Sequence, residues 1–287
     1  MIFTDEGRPR TLWRLVGFTT LWLLISTLFG IVLAVVVPIE SLTVDAYNLI
    51  GGWATLLSLL LAVLAARRWF DRRPFVDLGL VWNRQGGFDL AAGIGIAGLM
   101  MALVFVVELA LGWIRIETLA WQVESPFHWI SDLVVMLHFF ILVGVYEELL
   151  MRGYLLQNLR DGLNLKWAFL LSSVIFAIFH AVNPGYSPLA WVGLLAAGLF
   201  LASAYARTRQ LWLPIGLHIG WNFFLGPVFG FPVSGKSFAI LFQQVSQGPA
   251  WLTGGEFGPE GGLILLPALV LGFLLVWGYG RRNQSQS

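Results

Sequence analysis

The stretch 133–155, "LVVMLHFFILVGVYEELLMRGYL", begins as a membrane span and ends on two adjacent glutamates, Glu147 and Glu148, followed by Arg152. About 20 consecutive apolar residues suffice for a helix to cross a bilayer. Ionisable side chains in such a run each cost a few kcal/mol or more to bury, so they mark function by default. The rest of the chain has the same character. Of its 287 residues 58% are hydrophobic and 11% charged, with a mean hydropathy of +0.79. Soluble domains carry about a quarter charged residues, so the composition excludes a soluble globular protein. A net charge of +1 offers no electrostatic footprint for nucleic acid. The absence of cysteine excludes a disulfide framework, a thiol nucleophile and a thiolate metal site.

The apolar periodicity predicts an all-α, polytopic bundle of about eight transmembrane helices forming a single domain over 1–287. The spans are read at 12–37, 46–66, 89–113, 129–152, 166–183, 188–206, 213–230 and 262–280. The first apolar run continues to Val37, too long for a cleaved signal, and reads as a retained span. Connections on one side carry 14 basic residues and those on the other carry only Arg115 and Lys236. The positive-inside rule then places both termini in the cytoplasm. Segment 70–88 reads as a connection with a short interfacial piece, segment 231–261 as a long outside loop, and "NQSQS" as a polar tail.

The polar residues within the spans concentrate between 138 and 222. Glu148 and Arg152 are spaced i, i+4 and share a helix face as a charge pair, while Glu147 turns about 100° away from it. On residue types alone, the pair reads equally well as a salt bridge closing the fourth span. In "FAIFHAVNP" His180 ends an apolar run, with Phe176 one turn earlier; alone, such a histidine reads more simply as an interface residue. In "LPIGLHIGWNFF" His218 and Asn222 are again i, i+4, where the plain reading is an interhelical hydrogen bond of roughly 0.6–2 kcal/mol. Glu147 lies 13 residues from Arg160 and His180 lies 14 from Lys166. At 1.5 Å per residue both sit about 20 Å from one surface and can meet. His218 is only four residues past Pro214, shallower than its would-be partners on straight-helix geometry. Glu108 is expected to snorkel to the outer surface, Asp132 to act as a helix N-terminal charge, and His138 to face away from Glu147.

A carboxylate and a histidine around one water make a general-base site, and His218 with Asn222 could donate to a developing oxyanion. No Ser or Thr neighbours these groups in sequence, so water activation is the economical chemistry. The set Glu147, His180 and His218 could instead hold a metal ion such as Zn²⁺, although H-E-x-x-H is absent.

Glu147-Glu148-x-x-x-Arg152, Phe176-x-x-x-His180 and His218-x-x-x-Asn222, in that order on successive helices, resemble the type II CAAX prenyl proteases. They equally resemble the bacterial CPBP (Abi) family of intramembrane proteases and bacteriocin-immunity proteins. The resemblance covers about 130–226, the implied catalytic core. It implies that Glu147 and His180 activate water and that His218 and Asn222 stabilise the oxyanion, or that His218 joins a metal set. Glu148 and Arg152 are the supporting pair. No cofactor is required in the glutamate-type reading, and Zn²⁺ enters in the metal-dependent one. The expected substrate is a membrane-associated peptide or protein within the lipid bilayer. The arginine-rich, short-tailed form is that expected of a bacterial inner-membrane protein, for which a prenylated substrate is not expected. The alternative function is a non-catalytic membrane immunity or scaffold protein of the same fold. A transporter or proton relay would call for inverted repeats, and the sequence has none evident.

Overall fold

In hydrocarbon every backbone polar group must be satisfied within the protein, which leaves helices as the spanning elements of a chain like this one. The computed structural model describes residues 3, 7–38 and 42–284, the last four of these by backbone only; the tail from 285 lies outside the described residues. Eight principal helices follow in order: α1 Thr11–Val36, α2 Val44–Asp71, α3 Arg84–Ala110, α4 Pro126–Gly162, α5 Leu165–Phe179, α6 Pro188–Thr208, α7 Trp212–Phe223 and α8 Leu265–Gln284. Five of them (α1, α2, α3, α4 and α6) are long and apolar enough to cross a membrane, and α5 and α8 are shorter apolar helices. The bundle is helical, as the periodicity predicts.

The boundaries differ where the chemistry sits. Helix α4 runs 37 residues, well beyond the expected span, and passes through a widened π-type turn at Leu149–Leu155. Such turns recur at functional sites because they re-aim side chains within an otherwise regular helix. Helix α5 stops at Phe179 rather than at 183, and His180 caps its C-terminus.

Lipid tails offer no hydrophobic drive between helices, so close backbone packing through small residues takes over. Helix α7 uses this against α3. A Cβ on Gly216 would strike the Leu90 carbonyl, one on Gly220 would reach Ile94, and one on Gly93 would reach Leu213 and Leu217. Every residue from Leu213 to Asn222 is buried. His218, expected to be shallower than its partners, is nonetheless brought beside α4, with Nδ1 2.8 Å from Glu148 Oε1.

Segment 231–261 is not an open outside loop. It is a folded cap, with Phe231, Val233 and Phe257 buried. Strand β2 (Phe242–Ser246) pairs antiparallel with β1 (Ile114–Leu119), from Ile114 opposite Ser246 to Leu119 opposite Phe242. The cap docks on the turn after His180: Gly235 donates its N–H to Phe257, and its φ of +82° lets its backbone lie against the Pro184 carbonyl, where a Cβ would collide. Segment 70–88 contains one short 3₁₀ turn, Phe75–Leu78, ended by Gly79. Glu108 does not snorkel. It is fully buried in α3, and neither carboxylate oxygen has a partner among the described residues.

Candidate active site

Glu148 and Arg152 lie one turn apart on α4, and Arg152 Nη1 donates to Glu148 Oε1 at 2.7 Å, with both side chains essentially inaccessible. The second guanidinium nitrogen donates to the Gly198 carbonyl of α6 at 2.9 Å. The guanidinium also stands 4.9 Å over the Phe176 ring of α5. One side chain thus joins three helices, as the planar, multi-donor arginine is suited to do.

Glu148 does more than neutralise Arg152. His218 Nδ1 lies 2.8 Å from the same Oε1. A carboxylate can only accept there, so Nδ1 carries the proton and the ring is held with Nε2 facing away. Nε2 faces Glu147 Oε2 at 3.8 Å, beyond hydrogen-bond range. Glu147 itself keeps a side-chain exposure of 21%, against none for Glu148. Adjacent glutamates therefore have opposite environments: one locked between two cations or donors, the other open.

His180 is oriented the same way. Its Nδ1 lies 2.9 Å from the Phe176 carbonyl and its ring packs on the Phe176 ring at 4.8 Å. The carbonyl accepts, leaving Nε2 with a free lone pair. Two adjoining cavities, of about 300 and 110 Å³, share Glu147, His180, Asn183 and Lys236 in their walls. The smaller one is also lined by His218, Asn222 and Ser234. The four residues assigned to chemistry on sequence grounds thus face one space. His138 packs on Trp53 of α2 instead, at 5.7 Å, and Asp132 is exposed on α4.

The cap contributes residues that no motif marks. Glu260 is buried, accepts from the Ser234 N–H at 2.6 Å, from Ser234 Oγ at 2.8 Å and from the Trp221 indole at 3.0 Å. Burial pushes its carboxyl above the ordinary value, while the Ser234 bonds, His180 and Trp221 pull it down. Ser234 takes a positive φ of 48°, an uncommon conformation for a residue with a side chain. Trp221 belongs to α7, between His218 and Asn222, so Glu260 clamps the cap onto that helix. The available signal was a lone acidic residue in the apolar, glycine-rich run "FGPEGGLILL".

As they stand, no three His, Cys, Asp or Glu side chains among the described residues converge closely enough to hold an ion, while His180 and His218 each engage only Nδ1 and keep Nε2 for a water or another ligand.

Residues 128–224 match the family described as type II CAAX prenyl endopeptidase Rce1-like. Over 156 residues the chain is 30% identical to the protein named "Putative membrane peptidase YdiL" of Bacillus subtilis (strain 168), covering 54% of this chain. The match spans 58% of that relative's length. No solved structure matches the chain. The matched segment begins at the start of α4 and ends at the last turn of α7, and so contains all three motifs that line the cavity. The segment that carries the three motifs is thus similar to the Rce1-like family, and the long apolar helices around it are those of an integral membrane protein.

Proposed function

We propose that the protein is an intramembrane endopeptidase that hydrolyses a peptide bond in a membrane-associated protein or peptide, using water activated by Glu147 and His180. The observation that carries this reading is the contrast between the two glutamates. Glu148 holds Arg152 and His218 by direct hydrogen bonds, while Glu147, 3.8 Å from His218 Nε2 and beyond hydrogen-bond range of it, stands at the wall of a cavity shared with His180 and Asn222.

The steps follow from the orientation of each group. A water between Glu147 and His180 gives a proton to this pair as its oxygen attacks the carbonyl carbon. His180 Nε2 is the acceptor nitrogen, because Nδ1 is committed to Phe176. The carbonyl oxygen becomes an oxyanion, with His218 Nε2 and the Asn222 amide as its donors. Donation from Nε2 while Nδ1 donates to Glu148 requires the imidazolium form of His218, and the flanking Glu147 and Glu148 carboxylates balance that charge. Collapse of the intermediate breaks the C–N bond, and the stored proton leaves with the amine. General-base catalysis contributes about 10²–10⁴-fold and an oxyanion donor about 10²–10³-fold. No step requires a metal. The bacterial inner membrane is the proposed location, with the termini in the cytoplasm on the charge asymmetry of the connections.

The test uses purified protein in liposomes with a library of membrane-inserted peptides, new termini being read by mass spectrometry. Cleavage by the intact protein, lost in Glu147→Gln, His180→Ala and His218→Ala and indifferent to chelator, is the expected result. Chelator-sensitive cleavage restored by Zn²⁺ would replace the glutamate reading with a metalloprotease. Equal terminus patterns for intact protein and Glu147→Gln would favour the immunity or scaffold reading.

A further inference from the structure

At the arginine-rich end of the bundle, a cleft of about 610 Å³ opens where the start of α1 meets the end of α4. Arg8, Arg10, Arg14 and Arg73 line it, with Asp161 as the carboxylate among them. Arg14 bonds Asp71 at 3.3 Å and stands 3.5 Å from Asp161, which Arg73 reaches at 2.8 Å. Arg67 also takes Asp71, at 3.2 Å, and Arg160 stands 3.9 Å from Asp161. Among the described residues, four guanidiniums therefore share two carboxylates. Cations in such surplus at a membrane surface call for an anion.

Two further observations concern what the cleft can hold. Arg14 is 6% exposed, yet its Nε has no partner among the described residues. Helix α1, 26 residues long, begins at the cleft with Arg10 as its N-cap and no side-chain capping bond. The first-turn amides of an uncapped helix favour negative charge. Beside these polar groups Leu12, Trp13 and Leu163 are exposed by 66%, 48% and 55%. A phosphate in the cleft would thus have guanidiniums and helix amides on one side and apolar surface leading into the bilayer on the other.

We propose that this cleft binds the phosphate group of an anionic phospholipid, with the acyl chains running along the exposed start of α1. A free phosphate would use the same guanidiniums and would leave the apolar flank unused. The lipid site is independent of the protease reading, and its test does not involve cleavage.

The full-length protein, purified into phosphatidylcholine nanodiscs, is titrated with phosphatidylglycerol, with extra phosphatidylcholine and with soluble glycerol 3-phosphate. Bound lipid is read by native mass spectrometry and by melting temperature. Phosphatidylglycerol is expected to bind at least about tenfold more tightly than phosphatidylcholine. Arg10→Ser and Arg73→Ser are each expected to weaken it about fivefold, the worth of one basic residue at such a surface. Asp161→Asn removes the competing carboxylate and is expected to tighten binding, the opposite of what loss of structure would do. Equal binding of the two lipids would overturn the proposal, as would arginine variants without effect or weakening by Asp161→Asn. Glycerol 3-phosphate binding as tightly as phosphatidylglycerol would overturn the lipid assignment in favour of a soluble anion.

Discussion

Two ion networks in this bundle are built from the same residue types to different ends. The inner one joins Glu148, Arg152 and His218, all nearly inaccessible, and uses every charge to fix the position of another group. The outer one joins Arg14, Arg67, Arg73, Asp71 and Asp161, and its cations outnumber its carboxylates. Access at one end explains the difference. An uncompensated charge in the interior costs several kcal/mol, so each inner charge is paired, although Glu148 Oε2 and Arg152 Nε have no partner among the described residues. In the outer network Arg14, Arg67 and Asp71 are buried as well, but Arg73 and Asp161 keep 36% and 19% of their side-chain surface open, where water and lipid headgroups can supply what the network lacks. Function is assigned in each case to what the network leaves over: a carboxylate in the cavity, guanidiniums at the cleft.

The largest expected effect separates these roles within the inner network. Glu147→Gln should lower cleavage by about 10²–10⁴-fold, up to about 5 kcal/mol of barrier at 1.36 kcal/mol per decade. Its melting temperature should stay close to the intact protein's value, since the nearest charged contact of Glu147, His218 Nε2 at 3.8 Å, is beyond hydrogen-bond range. Arg152→Met should instead cost about 3–5 kcal/mol of stability by stranding the Glu148 carboxylate. Restoring the melting temperature with Glu148→Gln in the same chain, without restoring cleavage, would confirm that the pair positions His218. Asn222→Ala should reduce kcat by about 10²–10³-fold with little change in KM, as loss of an oxyanion donor does. In the cap, Glu260→Gln should weaken the clamp on Ser234 and Trp221 by about 1–3 kcal/mol. Hydrogen exchange should then rise over 231–261 first. Arg73→Ala sits at the other extreme: its half-exposed pair with Asp161 is worth about 0–1 kcal/mol, so melting should barely move.

How far the site could be read in advance depended on the range of each contact. Glu148 with Arg152, Phe176 with His180, and His218 with Asn222 are one-turn pairs, and helix periodicity alone puts each on one face. The bond between His218 and Glu148 crosses 70 residues, and no local spacing encodes it. Only the packing of α7 against α3 and α4 through Gly93, Gly144 and Gly216 brings those rings and carboxylates together. The cap was illegible for another reason. Its course relies on positive-φ positions such as Ser234 and Gly235 and on docking against Pro184, so its sequence reads as a plain loop. The strand "IRIETL" did carry a period-two alternation over its first residues, but its partner lies beyond residue 240. Glu108 remains a finding without a physical account: a fully buried carboxyl whose oxygens meet no partner.

The most direct test sets the adjacent glutamates against each other, measuring melting temperature and peptide cleavage in liposomes for Glu147→Gln and Glu148→Gln side by side. Glu147→Gln is expected to keep the intact melting temperature and lose cleavage, and Glu148→Gln to lose both. Cleavage surviving in Glu147→Gln at the intact rate would contradict that expectation.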